Sequence, residues 1–337
     1  MNRTVVHVAH ITTVKDNPIT NALRNLDRDV IEVDYFNYLF GRERHNSHHF
    51  TKRLTEIVAS AKPEFVFMQV QSPGIITIPG MHDLTKLAPV VIWTGDVREN
   101  IDFQMELASA GALCLFCNED DVDKMRQAGF PSDYLQAGFH TGMHNPFHRV
   151  DHKLGKVVFV GSHYPNTFPL SNERLELCTA LSEHLGDDFH VYGLGWENTP
   201  VRSQGIAEIP TLTQLYSGYD IAINHSNFLR RRYSSDRIFA ILGSGTFCMT
   251  HRYPGIELEF EEFAHLCAYD SIPDCITKIE YWLQPSKANE RMNIAKQGCT
   301  YAHEFCNWEE RMRDVFRLVK KYYGESDNGE HPIFSLN

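Results

Sequence analysis

Nothing in this 337-residue chain approaches the run of about 18–20 apolar residues that a bilayer-spanning helix needs, so no membrane insertion is expected. No G-x-G-x-x-G follows any strand-like run, which disfavours a dinucleotide-binding oxidoreductase. No G-x-x-x-x-G-K-[ST] occurs, which removes a P-loop NTPase. Positive charge is scarce: 32 Lys and Arg stand against 43 Asp and Glu, a formal net charge of −11. The deficit is spread evenly, −5 over residues 1–148 and −6 over the rest, so neither half carries the basic footprint of a protein that coats nucleic acid. The opening MNRTVVHVAHITTVKDNP is too short in apolar residues for a signal peptide and has no small-residue cleavage site. It reads as a first strand, and a cytoplasmic location is expected. The eight cysteines are mostly single and sit in apolar segments, as at Cys178, Cys248 and Cys267, the pattern of buried reduced thiols. Cys114 and Cys117 form CLFC inside the strand-like GALCLFC, and no second pair follows at zinc spacing. No repeat of solenoid period is present.

What is present is ordinary globular material, 42% hydrophobic and 22% charged, enough for two cores that need no disulfide or metal staple. Strand-like runs fall at 4–11, 30–36, 64–70, 89–95 and 112–117, with helical spacing at 47–61 and 119–128. NEDDVDKMRQAG has acidic residues in its first turn and Gly129 just past its end. After a polar, Pro146-containing stretch the pattern restarts, with strands at 156–162, 190–195, 220–226 and 246–251. Helices are expected at about 172–185, 212–218 and 235–243. The alternation predicts an α/β chain of two parallel-sheet units, 1–148 and 149–325, with a loose polar tail at 326–337. In such sheets ligands bind outside the carboxyl ends of the strands, and two units can line one cleft with those ends.

Several residues stand where chemistry is expected. KVVFVGS ends a buried strand at Gly161 and Ser162, and a helix follows that could offer N–H groups to an anion. Arg230, Arg231, Arg232 and Arg237 crowd into eight residues of an acidic protein, and Ser234, Ser235 and Asp236 can cap a helix through Ile238–Leu242. Guanidinium forks beside a helix N-terminus suit a diphosphate. The bland alternative is a solvated basic face paired to nearby acids. In WTGDVRE, Asp96 follows a strand and could serve as a general base, or simply cap the next helix. His10 closes the first strand and could face the same cleft, or be structural. HNSHHF at 45–50 and HTGMHNPFH at 140–148 invite a metal reading. Gly142 and Asn145-Pro146, however, break any helix that would align His140, His144 and His148, and no metal is expected.

Residues 156–320 resemble the C-terminal half of the CgeB-type spore-maturation glycosyltransferase-like proteins, within the GT-B glycosyltransferase class. The resemblance is carried by VVFVGS, NERLELCTALSEH, VYGLGW, LTQLYSGYDIAIN, SSDRIFAILGSGTFCMTHRYPGIELEF and CAYDSIPDCITKIEYWLQPSKANERMNIAKQG. PVVIWTGDVRE and CLFCNEDDVDKMRQAGF extend it more loosely to the N-terminal half. It implies the GT-B fold, two Rossmann-like domains facing each other across a cleft, with the last helix, 307–323, packing back across the interface. It implies that Gly161 and Ser162 lie against the phosphates of a nucleotide-sugar donor, UDP-sugar first. Gly193 and Leu194 would sit near the base, and Arg231, Ser235, Asp236 and Arg237 at the diphosphate. Thr250, Gly255 and Glu257 would border the sugar. Related enzymes usually carry a glutamate, contacting the ribose, where this chain has Ala240. Asp236, one turn earlier, could substitute. The class generally needs no bound metal.

The resemblance therefore implies a glycosyltransferase, a hexosyltransferase first, that moves a sugar from a nucleotide diphosphate to an acceptor hydroxyl without metal or other cofactor. The acceptor could be a protein, a glycan, a small molecule or a modified base in DNA. Two alternatives stand beside it: a DNA-modifying glycosyltransferase acting on hydroxymethylated pyrimidines, and a catalytically silent nucleotide- or sugar-binding protein.

Overall fold

The strands TVVHVA, FVFM, VVIWT and LCLF are almost wholly buried, with no polar face, as strands of a parallel sheet covered on both sides must be. In the computed structural model, which describes residues 3–10, 17–42 and 44–324, they form the middle of a six-stranded sheet. Its strands are β1 (Thr4–Ala9), β2 (Asp29–Asp34), β3 (Phe65–Met68), β4 (Val90–Thr94), β5 (Leu113–Phe116) and β6 (Ser132–Tyr134). They are all parallel, in the order β2-β1-β3-β4-β5-β6. A second parallel sheet holds β7 (Val157–Val160), β8 (Phe189–Tyr192), β9 (Ile221–Asn224), β10 (Phe247–His251) and β11 (Cys267–Tyr269), in the order β11-β10-β9-β7-β8. In each sheet the chain leaves its first strand to one side and returns on the other. That places a switch point between β1 and β3, and another between β7 and β9.

The helices form where cap and apolar stripe agree. In Ser47–Ala61 the Asn46 side chain accepts from His49 N at 2.8 Å, and Phe50, Leu54 and Val58 recur on the buried face. Glu119–Gln127 is capped by Asn118, with three acids in its first turn.

The chain divides into two compact units, residues 1–137 with 308–337, and residues 138–307. The boundary lies eleven residues before the expected one. The polar stretch that resembled a linker is tied down within the second unit: Thr213 Oγ1 donates to Met143 O at 3.0 Å and Arg149 Nη1 to Ser244 O at 3.1 Å. The helix Trp308–Tyr323 belongs to the first unit. It lies on the helix Pro18–Asn25, sets Trp308 edge-on to Trp93 at 4.9 Å, and ends with Tyr323 donating to Val90 O at 2.8 Å. All eight cysteines are free and buried, and burial pushes the Cys114 thiol up to about 12. β6 and β11, at three residues each, were too short to show a periodic signal. The first strand reading, 4–11, runs into Ile11, and the tail reading into 325–337; both lie outside the described residues. Among the described residues no helix is long and apolar enough to cross a membrane.

Candidate functional site

The site is built at the carboxyl ends of β7, β8 and β9, beside the second unit's switch point. Gly161 N donates to Tyr192 O at 2.7 Å, and Leu194 N to Ser162 Oγ at 3.2 Å, so the turns after β7 and β8 are laced together. Their backbones nearly touch. A Cβ on Gly193, whose φ is +140°, would lie 2.4 Å from Gly161 O. A Cβ on Gly161 would lie 2.6 Å from Arg237 Nη2. Four expected residues, Gly161, Ser162, Gly193 and Leu194, thus form one surface with Arg237. Beyond it the loop after β8 borders an open groove of about 470 Å³ lined by Gly193, Leu194, Trp196, Arg202 and Ser203 among others, a size that suits a small ligand.

That packing gives a direct test. Gly193→Ala should destabilise the second unit by about 1–3 kcal/mol, the usual strain of a forced backbone conformation, plus the displacement of the Gly161–Ser162 turn. Gly205→Ala, at φ +100° but with nothing within 4 Å, carries the conformational strain alone. Urea unfolding of both variants should show the larger loss at Gly193; equal losses would mean that the two turns are not in contact.

Two guanidinium groups dominate the electrostatics. Arg237 donates through Nε to Val160 O, and through Nη1 to Asn224 Oδ1 at 3.1 Å, His225 O at 3.2 Å and Ser235 Oγ at 3.2 Å. Among the described residues its Nη2 makes no hydrogen bond. Arg174, 2% exposed, donates to Ser162 O at 2.9 Å and His225 O at 2.7 Å. Both lie over the Phe159 ring, at 5.0 and 5.5 Å from its centroid. Neither has a carboxylate partner among the described residues. Burial, and then the nearby Arg237, lower the Arg174 pKa to about 9, the mark of cations held without a counter-ion. Arg174 escaped the sequence reading because it sits alone inside a helical pattern. Only its order in NERLELCTALSEH pointed to it.

The rest of the basic segment divides. Arg232 lies 4.0 Å from Glu259 and is bound through its backbone to Pro254 O, so here the ion-paired reading holds. Arg231 is half-buried in the same turn. The expected cap does not form. The helix runs Arg237–Gly243, Asp236 at its N-cap is itself in helical geometry, and no side chain there bonds the helix N–H groups. Ser235 instead donates to Asn224 Oδ1 at 2.8 Å and accepts from Arg237, and Asp236 stands exposed. Thr250 is fully buried and accepts from Asn224 Nδ2 at 2.9 Å. Gly255, packed against the Arg232 side chain, heads the turn Ile256–Leu258, which carries the exposed Glu257. Ala240 is buried.

In the first unit, Asp96 is exposed two residues after β4. Its carboxylate accepts from its neighbour Val97 N at 2.9 Å rather than capping the helix Asp102–Ser109. His10 follows β1 and packs on Phe36 at 4.1 Å. β3 lies between β1 and β4, so the strand ends bearing the two residues stand roughly 10 Å apart. Neither histidine cluster assembles a ligand set among the described residues. His140 Nδ1 accepts from Gly142 N at 3.0 Å, His144 is buried, and His45 stacks on His49 at 4.7 Å. One mixed group, Glu173, His225 and His251, does bring its atoms within 4.8 Å of one another.

A family model described as glycosyl transferase-like matches residues 174–317. No curated protein matches the chain. Among solved structures, a glycosyltransferase from Rickettsia africae is similar at TM-score 0.68 and 12% identity, over 95% of this chain and 98% of that one. Sucrose-phosphate synthase from Thermosynechococcus elongatus is similar at 0.66 and 9%, over 96% and 100%. HepE of Anabaena, solved with UDP and glucose, is similar at 0.59 and 12%, over 95% and 100%. At such identities the likeness shows the fold, which is GT-B. Fold and family match together support sugar transfer in general terms.

Proposed function

We propose that the chain is a GT-B glycosyltransferase of the CgeB-like type that takes its sugar, a hexose, from a UDP-sugar. The observation that carries this reading is the pair of cations at the second switch point. Arg174 and Arg237 have carbonyl, amide and hydroxyl partners only, and Arg237 Nη2 is left with unused donors beside Gly161. A diphosphate supplies the missing negative charge. The UDP held by HepE in the same fold fits that choice.

In this reading the diphosphate lies on Gly161 and Ser162, with Arg231 and Ser235 nearby. The base enters the groove at Gly193 and Leu194, and the sugar reaches toward Gly255 and Glu257. Thr250 acts at one remove, by holding Asn224. Charge developing on the leaving diphosphate is stabilised by fixed guanidinium donors, with no metal needed there. Asp96 takes the acceptor proton, and His10 positions the acceptor. The acceptor itself is a protein, glycan or small molecule; the negative charge of both halves counts against DNA.

A silent binding protein is the second reading, and Ala240 favours it, since a buried methyl offers nothing to a ribose. Thermal melting across nucleotides separates the two. UDP at 100 times its Kd should add about 2.7 kcal/mol, with UMP and uridine trailing. Binding followed by UDP release from a UDP-hexose supports the enzyme, binding without turnover on any acceptor supports the silent reading, and no shift with any nucleotide diphosphate overturns the enzyme and the silent nucleotide binder alike.

A further inference from the structure

Glu173, His225 and His251 come from three different elements: the first turn of the helix Ser171–Leu185, the residue after β9, and the last residue of β10. Glu173 Oε1 lies 3.8 Å from His225 Nε2 and 3.5 Å from His251 Nε2, and the two imidazoles stack at 4.8 Å. Four-coordinate zinc with ligands at about 2.0 Å spaces them about 3.3 Å apart, so small side-chain adjustments suffice.

The Tyr269 hydroxyl lies 3.2 Å from Asn224 O and 3.1 Å from His225 Nδ1, and both contacts are hydrogen bonds when the hydroxyl donates to the carbonyl and accepts from an Nδ1 proton. In that tautomer Nε2 presents a lone pair. That Nε2 is buried, in a residue 1% exposed, has no hydrogen-bond partner among the described residues, and faces a carboxylate oxygen. A lone pair and a carboxylate turned toward each other repel unless a cation lies between them. An N–H donation that frees the other nitrogen is the usual support of a metal-bound histidine.

We propose that Glu173, His225 and His251 bind one divalent transition-metal ion, zinc being the best chemical fit to two imidazoles and one carboxylate. The site adjoins the arginine pair, since Arg174 and Arg237 both donate to the His225 carbonyl, but its ligand atoms are side-chain atoms of other groups and it needs no assumption about the donor.

The test is titration of the chelator-treated full chain with Zn²⁺ by calorimetry, and with Co²⁺ by visible absorption. One ion per chain and a tetrahedral Co²⁺ spectrum are expected. Glu173→Gln and His251→Ala should each weaken binding by about tenfold or more. His45→Ala/His49→Ala, which removes the exposed stacked pair, should leave it unchanged. Glu173 is partly exposed, so its variant should fold, and melting of the metal-free proteins checks this. No stoichiometric uptake, or uptake lost with the His45/His49 variant and kept in Glu173→Gln, overturns the proposal.

Discussion

Arg237→Ala is expected to lower kcat/KM for a UDP-sugar by about 10²–10³, the usual effect of deleting one fixed donor that faces developing charge. Arg237 is held by four acceptors through Nε and Nη1, so its fork cannot swing away, and Nη2 is presented beside Gly161 at no further cost in ordering. A lysine there keeps a charge but cannot span Val160 and His225 while also reaching the ligand, so Arg237→Lys should fall between alanine and wild type. Because Arg237 also ties β7 to β9, a loss of activity alone could report misfolding. A urea midpoint of Arg237→Ala close to that of the wild type separates the two. The split matters too. Equal losses in kcat and kcat/KM mark stabilisation of the transition state, while a rise in KM alone marks ground-state binding of the diphosphate. A folded Arg237→Ala protein with wild-type UDP affinity and turnover would remove the arginine pair from the reaction.

The parts of this arrangement that were legible in the sequence are those written in local pattern. Nine strands showed as strand-like runs, and Gly161 and Ser162 followed from their place at the end of one of them, whereas Gly193 and Leu194 came from the family resemblance alone. The crowding of Arg230–Arg237 pointed to a cationic segment but not to which guanidinium lacked a partner. Arg232 meets Glu259 only because the turn after Pro254 folds against it, a contact across more than twenty residues. Ser235 and Asp236 have the right side chains for a cap. Arg237, however, draws the Ser235 hydroxyl toward Asn224, and that tertiary bond wins over the local one. Arg174, Glu173, His225 and His251 carry no motif spacing at all. Their proximity is a product of the strand order β11-β10-β9-β7-β8, which the sequence does not print.

Acid should weaken both units well before carboxylates protonate. In the first unit His7 is wholly buried, shares a hydrogen with Thr20 Oγ1 at 2.9 Å, and has its pKa lowered to about 4 by burial, with the Gln69 side chain acting the other way. In the second, His144 is lowered to about 4, by burial first and then by the facing His140 and His303. Both lie below the value of about 6.5 in the unfolded chain. Above pH 6.5 neither state binds the proton and stability is complete. Between pH 6.5 and 4 the unfolded chain binds it and the folded chain does not, so stability falls as pH falls, and below pH 4 the loss levels off. At pH 5 each histidine should remove about 2 kcal/mol relative to pH 7. His225, also held well below its ordinary value by burial, adds to the loss in the second unit alone. Urea unfolding at pH 7 and pH 5, in the presence of a chelator, should therefore show two transitions that both move down, the second unit's further. His144→Asn should reduce the shift of the second to the part that His225 supplies and leave the first unchanged, while His7→Gln should flatten the first and leave the second unchanged. Unfolding midpoints that match at the two pH values would mean that these imidazoles are already charged in the folded protein.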